Sequence, residues 1–321
     1  MNLQNAHFRF VARRILRRAF LVAVAIALFG AQFIPAATDS ARKFSSPEDA
    51  LRALTAAVND RDTNALAAIF GPAFSNVTSP EPAQAEEELT DFGKSLNTSN
   101  HLERVRQDRC ILETGADRWP FPIPIVRTNN AWFFDTQAGK DELINRRIGR
   151  NELDTLQSVR AYADAQREYA SKDHDGDQVL EFAQKLVSSP GARDGLYWPP
   201  DADGEMSPLG PFVASAQSEG YLRNPGANNS PEPFHGYLFK ILTRQGKNAP
   251  GGKYDYIING KMIGGFALVA WPAQYGESGI MTFIVNQQGK VYQKDLGPKT
   301  SSIAQAMKEY NPDKSWTVSP D

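Results

Sequence analysis

Three aspartates stand at alternate positions in the segment KDHDGDQVLEF, which covers residues 172–182. They are Asp173, Asp175 and Asp177, and Glu181 follows within the same segment. Calcium in proteins takes about six to eight oxygen ligands, and acids at alternate positions of a tight loop supply several of them. The spacing therefore indicates a weak calcium site with these four carboxylates as its ligands, and calcium is the one cofactor that the sequence suggests.

The second half of this segment departs from the helix–loop–helix calcium motif. Such a loop, counted from Asp173, has glycine at its sixth position and glutamate at its twelfth, whereas this chain has Gln178 and Gln184 there. The alternative interpretation is a polar turn whose acids are solvated and whose Asp177 caps a helix over VLEFAQKL, residues 179–186. Both interpretations stay open on the sequence alone.

Other chemically capable residues are scattered. Asp201, Asp203 and Glu205 form a second acidic turn, which is interpreted as a glycine turn, and Asp194 stands close enough in sequence to join either acidic cluster. The single cysteine, Cys110, is interpreted as a buried apolar residue. The histidines lack metal-ligand spacing, and the sequence contains no nucleophile elbow, phosphate-binding loop or dinucleotide fingerprint. No catalytic residue is assigned.

The N-terminal 37 residues have the pattern of an export signal. Residues 1–18 hold five arginines and no acid, and an apolar run with Gln32 as its only polar side chain covers residues 19–37. A basic start, an apolar run and small residues at its end predict a secretory signal peptide and a periplasmic protein. The alternative is an uncleaved anchor in the inner membrane, because ~20 apolar residues can span a bilayer. That segment would then be the only contact with the membrane.

Removal of residues 1–37 makes the chain acidic. These residues hold five of the 35 Lys and Arg and none of the 37 Asp and Glu, so that the remaining chain carries a net charge of −7. A nucleic-acid partner would require a basic surface, and the charge argues against one. The partner that remains is an unknown envelope protein or a small ligand.

Residues 44–138 predict a first domain of helices and a curved antiparallel sheet. Ser46 has the type and position of a helix cap, Asn64 is predicted to cap a second helix, and a third helix is predicted over residues 86–97. The segments RCILETG and FPIPIVRTNNAWFFDT are strand-like, and the NN pair of the second predicts a tight turn.

Residues 139–315 predict a second domain. A helical pattern over residues 140–171 is expected to break at Gly149, and a loop-rich region over residues 188–235 follows it. The C-terminal third reads as a series of hairpins and closes in a short helix over residues 301–310. Helices followed by an antiparallel meander make this an α+β chain.

A basic cluster lies on the long predicted helix. It consists of Arg146, Arg147 and Arg150, with Glu142 and Glu152 at helical spacing from them. The first interpretation is a solvated helix face with ion pairs along it. The alternative is an anion site.

Three long segments resemble a known family. They are DRWPFPIPIVRTNNAWFFDTQAGKDELINRRIGRNEL, RDGLYWP and FALVAWPAQYGESGIMTFIVNQQGKVYQKDLG. These segments resemble the bacterial domain-of-unknown-function family 2950, and the resemblance covers nearly all of residues 44–315. It implies an exported bacterial protein without an established activity, and it brings no catalytic residues with it.

Two further resemblances concern the fold alone. Residues 46–136 are similar in pattern to cone-shaped domains of the nuclear-transport-factor-2 type, which build a helical hairpin against a curved sheet. Residues 139–300 resemble a pilin-type arrangement of a long helix, an Asp/Gly loop and an antiparallel meander. The segment SGIMTFIVNQQGKVY is similar to the final hairpin of pseudopilin-like domains. The resemblances imply a cone-like first domain and a pilin-like second one.

These patterns favour binding or scaffolding in the cell envelope without catalysis. The alternative is an enzyme whose active site lies in the concave pocket of the first domain, lined by Trp119, Trp132, Phe134 and Asp135. A deep pocket that holds a carboxylate with a raised pKa would favour the enzyme. A first domain filled with side chains would favour the binding protein.

Overall fold

The structure is a computed structural model that describes residues 41–199, 206–211 and 233–320. Its elements are helices and mainly antiparallel sheets, so the predicted α+β class is confirmed. The predicted signal or anchor over residues 1–37 lies outside the described residues. Among the helices that are described, none is long and apolar enough to cross a membrane.

Three helices open the described chain. Ser46 caps the first as predicted, because its side-chain oxygen accepts the backbone N–H of Asp49. The second helix is capped by Asp62, which accepts the backbone N–H of Ala65, so the prediction of Asn64 as its cap was wrong. The helices are α1 (Pro47–Asn59), α2 (Thr63–Phe70), which runs into a 3₁₀ helix (Gly71–Asn76), and α3 (Pro82–Thr98).

The first sheet follows these helices. Its strands are β1 (Asn100–Arg106), β2 (Arg109–Thr114), β3 (Trp119–Pro120), β4 (Ile125–Thr128) and β5 (Ala131–Phe134). They lie in the order β1-β2-β4-β5, and β3 pairs with the C-terminal end of β2. The predicted NN turn joins β4 and β5, with Asn129 at φ 51° and Asn130 at φ 60°, because tight hairpin turns need left-handed backbone that asparagine tolerates. β1 was not predicted, since its sequence NHLERVR is exposed at nearly every position.

The first core fills the space between these helices and the sheet. Cys110 is only 1% exposed there, and burial raises the pKa of its thiol, so its interpretation as a buried residue is confirmed. A ring stack of Phe92 on Phe121, with centroids 4.9 Å apart, closes one side of the core. The fully buried side chains include Leu54, Ile69, Leu96, Leu112, Ile123, Ile125 and Phe134.

A single long helix, α4 (Thr136–Tyr169), connects the first core to the second. Leu143 packs against the first core, and Leu156 and Val159 belong to the second. The predicted break at Gly149 was wrong, because one helical glycine costs only ~1 kcal/mol and packing at both ends of the helix outweighs it. The predicted domain boundary between residues 138 and 139 falls at the start of this helix and stays a prediction.

The second core is built on a five-stranded antiparallel sheet. Every residue of its strand β11 (Ala267–Pro272) is buried. The strands are β6 (Tyr237–Leu242), β11 (Ala267–Pro272), β12 (Met281–Asn286), β13 (Tyr292–Asp295) and β15 (Thr317–Val318), in the order β15-β13-β12-β11-β6. The helix α4 contributes Tyr162, whose hydroxyl donates to the carbonyl oxygen of Ala267 at 3.3 Å. The pilin-like and cone-like resemblances stay predictions beyond the shared α+β class.

Smaller elements surround this sheet. They are β7 (Arg244–Gln245), β8 (Tyr254–Asp255), the hairpin of β9 (Ile257–Ile258) and β10 (Lys261–Met262), the helix α5 (Thr300–Ala306) and β14 (Glu309–Tyr310). The closing helix, predicted to reach residue 310, therefore ends four residues earlier. Its last residues are recruited as a strand because β14 pairs with β7.

A buried polar network joins the two halves of the described fold. Asn151 of α4 donates from Nδ2 to the carbonyl oxygen of Ser278 at 2.8 Å, and its Oδ1 accepts from Nε2 of Gln84 on α3. Asn151 and Gln84 are buried, and their polar atoms are paired, which such groups require. The network ties α3, α4 and the loop before β12 into one arrangement.

Candidate functional site

The acidic loop, residues 172–182, begins just after α4 ends. The carboxylate of Asp173 accepts backbone N–H groups of Asp175 (3.2 Å), Gly176 (2.8 Å) and Gln178 (2.8 Å). Gly176 and Gln178 have left-handed backbone, with φ of 78° and 68°. One carboxylate thus organises the turn, and its oxygens are largely engaged by the chain itself.

The next two aspartates each use one oxygen for the turn. Oδ1 of Asp175 accepts the backbone N–H of Asp177 at 3.3 Å, and Oδ1 of Asp177 accepts that of Val179 at 2.9 Å. Their second oxygens are left to point at a cation. The three aspartates offer oxygen atoms within 4.8 Å of one another, and all three residues are exposed.

Lys261, on the β9–β10 hairpin, supplies that cation. Its Nζ lies 2.9 Å from Oδ2 of Asp175 and 3.2 Å from Oε1 of Glu181, and it also contacts Oδ2 of Asp177. The hydrogen bonds to Asp177 and Asp175 raise the pKa of Lys261. In turn, the hydrogen bond from Lys261 lowers the pKa of Asp177.

Glu181 connects the loop to the hairpin by a second route. Its Oε2 accepts the backbone N–H of Met262 at 3.3 Å, and Phe182 forms a β-bridge with Met262. Residues 179–186 are therefore extended rather than helical, and the interpretation of Asp177 as the cap of a helix over VLEFAQKL was wrong. The backbone N–H of Phe182 donates to the carbonyl oxygen of Met262, and that of Ala183 donates to Oε1 of Gln166, each at 2.8 Å, so partners elsewhere in the fold satisfy them.

The four predicted ligands lie near one another, but Glu181 stands apart from the three aspartates. Asp173, Asp175 and Asp177 form the acidic triad, whereas Glu181 reaches it through Lys261. A divalent cation and the ammonium group would compete for the same oxygens of Asp175 and Asp177. The arrangement can hold a cation at the surface, and the protein already provides a monovalent one from its own chain.

An aromatic cleft opens beside the acidic loop. The ring of His174 stacks on Tyr169 with centroids 4.1 Å apart and meets the edge of Trp198 at 5.6 Å, and the guanidinium of Arg193 lies over Trp198. The cleft has a volume of about 420 Å³ and includes Asp175 in its wall. Burial, with help from nearby carboxylates, raises the pKa of Tyr169 to about 12.

Asp194 lines the same cleft without joining the triad. It accepts hydrogen bonds from Nζ of Lys185 (2.5 Å) and from the backbone N–H of Ser189 (2.7 Å), and these bonds lower its pKa to about 2. Asp201, Asp203 and Glu205 lie outside the described residues.

Comparison with known proteins places the chain in a family. The model of the family described as "Protein of unknown function (DUF2950)" matches residues 41–318. The chain belongs to this family. No curated protein and no solved structure matches the chain. The DUF2950 match includes both cores, the acidic loop and the Lys261 hairpin, and it carries no activity with it.

The residues predicted to line an active site in the first domain of this DUF2950 protein occupy different settings. Trp119 is 42% exposed on β3, and Trp132 is buried with the guanidinium groups of Arg104 and Arg127 over its ring. Phe134 and Asp135 have structural surroundings: Phe134 lies in the first core, and Asp135 caps α4 by accepting the backbone N–H of Ala138. 

The basic cluster on α4 is divided between surface and interior. Arg146 pairs with Glu142 at 2.7 Å, as the solvated-face interpretation expects. Arg147 is only 3% exposed, and it donates to Glu88 at 3.0 Å and to the carbonyl oxygen of Val77. The solvated-face interpretation was therefore wrong for Arg147, because α3 covers that side of α4.

Two residues at or beside the candidate site escaped sequence reasoning. Lys261 carries no local signal, since 80 residues or more separate it from every acid that it contacts. Trp198, in the family-like segment RDGLYWP, was visible as an aromatic residue but not as a neighbour of His174. Both contacts depend on the packing of the second core and on no nearby motif.

Proposed function

We propose that this chain is an exported, non-enzymatic protein of the bacterial cell envelope that acts by binding or scaffolding. We further propose that its acidic loop is a weak calcium site at which calcium competes with Lys261. The observation that carries both proposals is the electrostatic state of the loop. Three aspartates offer oxygen atoms within 4.8 Å of one another beside Lys261, whose hydrogen bond lowers the pKa of Asp177. A carboxylate with a lowered pKa can bind a cation, whereas a general acid needs a pKa near the working pH.

The first core supports binding over catalysis. Side chains such as Phe134 and Leu112 fill the concave side of the sheet. At Asp49, Asp177, Asp194 and Asp313 the pKa of the carboxyl group is shifted downward. A raised carboxyl pKa in a pocket is the usual mark of a catalytic acid.

Export is supported by the N-terminal pattern of arginines and apolar residues. Fractionation of the source cells tests it, with N-terminal sequencing of the recovered protein. We expect a periplasmic chain that starts near residue 38. A full-length chain in the inner membrane would establish the anchored alternative, and a full-length chain in the cytoplasm would end the proposal.

The aromatic cleft supports a small molecule, and not a protein, as the partner. Its volume of about 420 Å³ lies within the range of ligand sites, roughly 300–1,000 Å³. Tyr169, His174 and Arg193 offer stacking and charged contacts beside the acidic triad. Pull-down from envelope extract, compared with a small-ligand screen by melting temperature, separates a protein partner from a small one.

Calcium binding is tested by thermal melting of the purified chain with calcium and with a chelator. We expect calcium to raise Tm, because it binds the folded loop and not the unfolded chain. Asp175→Ala should remove that increase, since Asp175 offers its Oδ2 to the cation position. Asp91→Ala is the matched control, because Asp91 is an exposed acid paired with Lys94 on α3. An identical Tm in calcium and in chelator would end the calcium proposal.

A further inference from the structure

We propose that one end of the first sheet docks onto an anionic membrane surface. The surface consists of Arg104 and Arg106 on β1, Arg109 on β2 and Arg127 on β4, and it is called the arginine end below. The proposal rests on the proposed export of the chain and adds a second, folded contact with the membrane beside any N-terminal anchor.

Backbone pairing gathers these arginines at one end. Arg106 pairs with Arg109 across the β1–β2 hairpin, and the backbone N–H of Arg127 donates to the carbonyl oxygen of Asp108 in that hairpin at 2.8 Å. The guanidinium groups of Arg104 and Arg127 lie 5.5 and 5.4 Å from the ring centroid of Trp132. Stacking on that ring holds two of the cations in place, and although Nη1 of Arg104 donates to the carbonyl oxygen of Gln107 at 3.4 Å, other guanidinium donors remain for an outside anion.

The arginine end is positively charged against the trend of the chain. Within the parts of the chain that the structure describes, none of its four arginines forms an ion pair. By contrast Arg118, at the other end of the same sheet, pairs with Glu113 at 2.6 Å. Unpaired cations that repel one another are a cost to the fold, in a chain whose net charge is −2, or −7 without residues 1–37, and an external anion would offset that cost.

An exposed apolar residue lies between two of these cations in the chain. Val105 is 49% exposed between Arg104 and Arg106 at the tip of β1. Basic residues that flank an exposed apolar side chain are typical of surfaces that rest at the boundary between lipid headgroups and acyl chains. Guanidinium groups match the phosphates of such headgroups, to which they donate paired hydrogen bonds.

The path of the chain favours a membrane over other anions. Only residues 38–40 separate the end of the apolar run from Ala41, and each residue spans at most about 3.6 Å. Phe44 then pairs with Trp132 through backbone hydrogen bonds of 2.8 and 2.9 Å. The guanidinium of Arg42 lies 5.2 Å from the centroid of the Phe44 ring. Phe44, which pairs with Trp132 on β5, is thus a few residues in sequence from the apolar run that the proposed export would bring to the membrane.

Vesicle co-sedimentation tests the proposal. Residues 40–321 form one compact unit with both hydrophobic cores, so the chain from residue 38 onward can be used without its apolar run. We expect it to bind vesicles of phosphatidylcholine mixed with phosphatidylglycerol and not vesicles of phosphatidylcholine alone. Binding should disappear at about 1 M salt, where the screening length falls to about 3 Å.

The double variant Arg106→Gln/Arg109→Gln should bind anionic vesicles about 25-fold more weakly, at roughly fivefold for each arginine near the surface. The control is Arg118→Gln/Lys94→Gln, which removes the same charge from residues that have carboxylate partners. Equal weakening by both double variants would mean that net charge alone acts, and the proposal would fail.

Two other results would overturn it. The first is a wild-type chain that does not sediment with phosphatidylglycerol vesicles. The second is binding to heparin beads with no binding to vesicles, which would point to a polyanionic partner. Neither result bears on export, because fractionation tests that separately. A cytoplasmic location with intact vesicle binding would instead remove the proposed function and leave the surface property standing.

Discussion

Lys261 places its ammonium 2.9 Å from the carboxylate of Asp175, although 86 residues separate the two in the chain. The same ammonium reaches Asp177 and Glu181, so one hairpin residue offsets part of the negative charge of the loop that follows the C-terminal end of α4. Without this cation the acids would repel one another. The carboxylates of Asp175 and Asp177 are therefore already paired with Lys261, and a metal that binds their Oδ2 atoms has to displace the ammonium group.

Replacing Lys261 by methionine should destabilise the loop and open it to calcium. The apolar body of the side chain is kept, while the charge that holds Asp175 and Asp177 is lost. In chelator we expect Tm to fall by a few degrees and to recover partly as salt is added, because ions screen the remaining acids. The increase in Tm caused by calcium should become larger than in the wild type.

Lys94→Met is the control for this experiment. Lys94 pairs with Asp91 on the exposed side of α3, far in sequence from the loop, and its side chain is 72% exposed. Exposed pairs contribute little to stability. A calcium response in Lys261→Met that is no larger than in Lys94→Met would contradict the competition between calcium and the ammonium group.

Arg147→Met should destabilise the fold much more than a surface change. The variant leaves the Glu88 carboxylate, which is 22% exposed, without its cationic partner, and it removes the donor to the carbonyl oxygen of Val77. Breaking a buried ion pair from one side costs about 3–5 kcal/mol. Urea unfolding should report a loss near 3 kcal/mol, since Glu88 keeps some contact with water.

Arg150→Met gives the matched comparison, because Arg150 is an exposed arginine on the same helix. Its effect should stay within about 0.5 kcal/mol. The double variant Arg147→Met/Glu88→Met should recover much of the loss, because both charged partners are replaced by apolar groups. A double variant as unstable as Arg147→Met alone would show that packing, and not the stranded carboxylate, dominates.

Asp194 should make the cleft sensitive to strong acid. Its pKa is about 2 in the folded protein and about 3.9 for an unperturbed aspartate. A lowered carboxyl pKa stabilises the fold above the unfolded value, and this contribution is lost as pH falls from about 4 to about 2. The side chain is 42% exposed, so the effect is small.

The urea midpoint, measured against pH in the wild type and in Asp194→Asn, tests this. The curves should be separated at neutral pH and should converge as pH falls to about 2. Asp164→Asn is the control, because Asp164 is 78% exposed and pairs only with Arg167 at a neighbouring helix position. A constant separation down to pH 2 would mean that Asp194 acts through its shape and not through its charge.

Local patterns predicted much of the fold, and contacts distant in sequence decided the rest. The cap at Ser46, the turn at Asn129 and Asn130, and the strands of the C-terminal meander all follow from neighbouring residues. The segment 179–186 has a helical sequence pattern, but Met262 recruits it into a β-bridge. Propensity is a weak prior that tertiary pairing overrides.

The candidate site shows the same division. The three aspartates were visible because they are adjacent in sequence, and the turn that they form is made by their own carboxylates. Lys261, which sets the charge of the site, could not be inferred, because its position depends on how the hairpin packs on the second core. A ligand set read from sequence therefore names the acids and misses the cation that competes for them.

Two glycines of α4 should respond oppositely to alanine. A Cβ at Gly139 would lie 2.8 Å from backbone atoms of Ile123, which cannot move aside, whereas a Cβ at Gly149 would meet nothing within 4 Å. Gly149→Ala should therefore stabilise the protein by roughly 0.5–1 kcal/mol, the difference in helix propensity. Gly139→Ala should destabilise it by about 1–3 kcal/mol, as overpacking does. Urea unfolding of both variants measures the contrast, and a stabilising Gly139→Ala would show that α4 does not press on the Ile123 backbone.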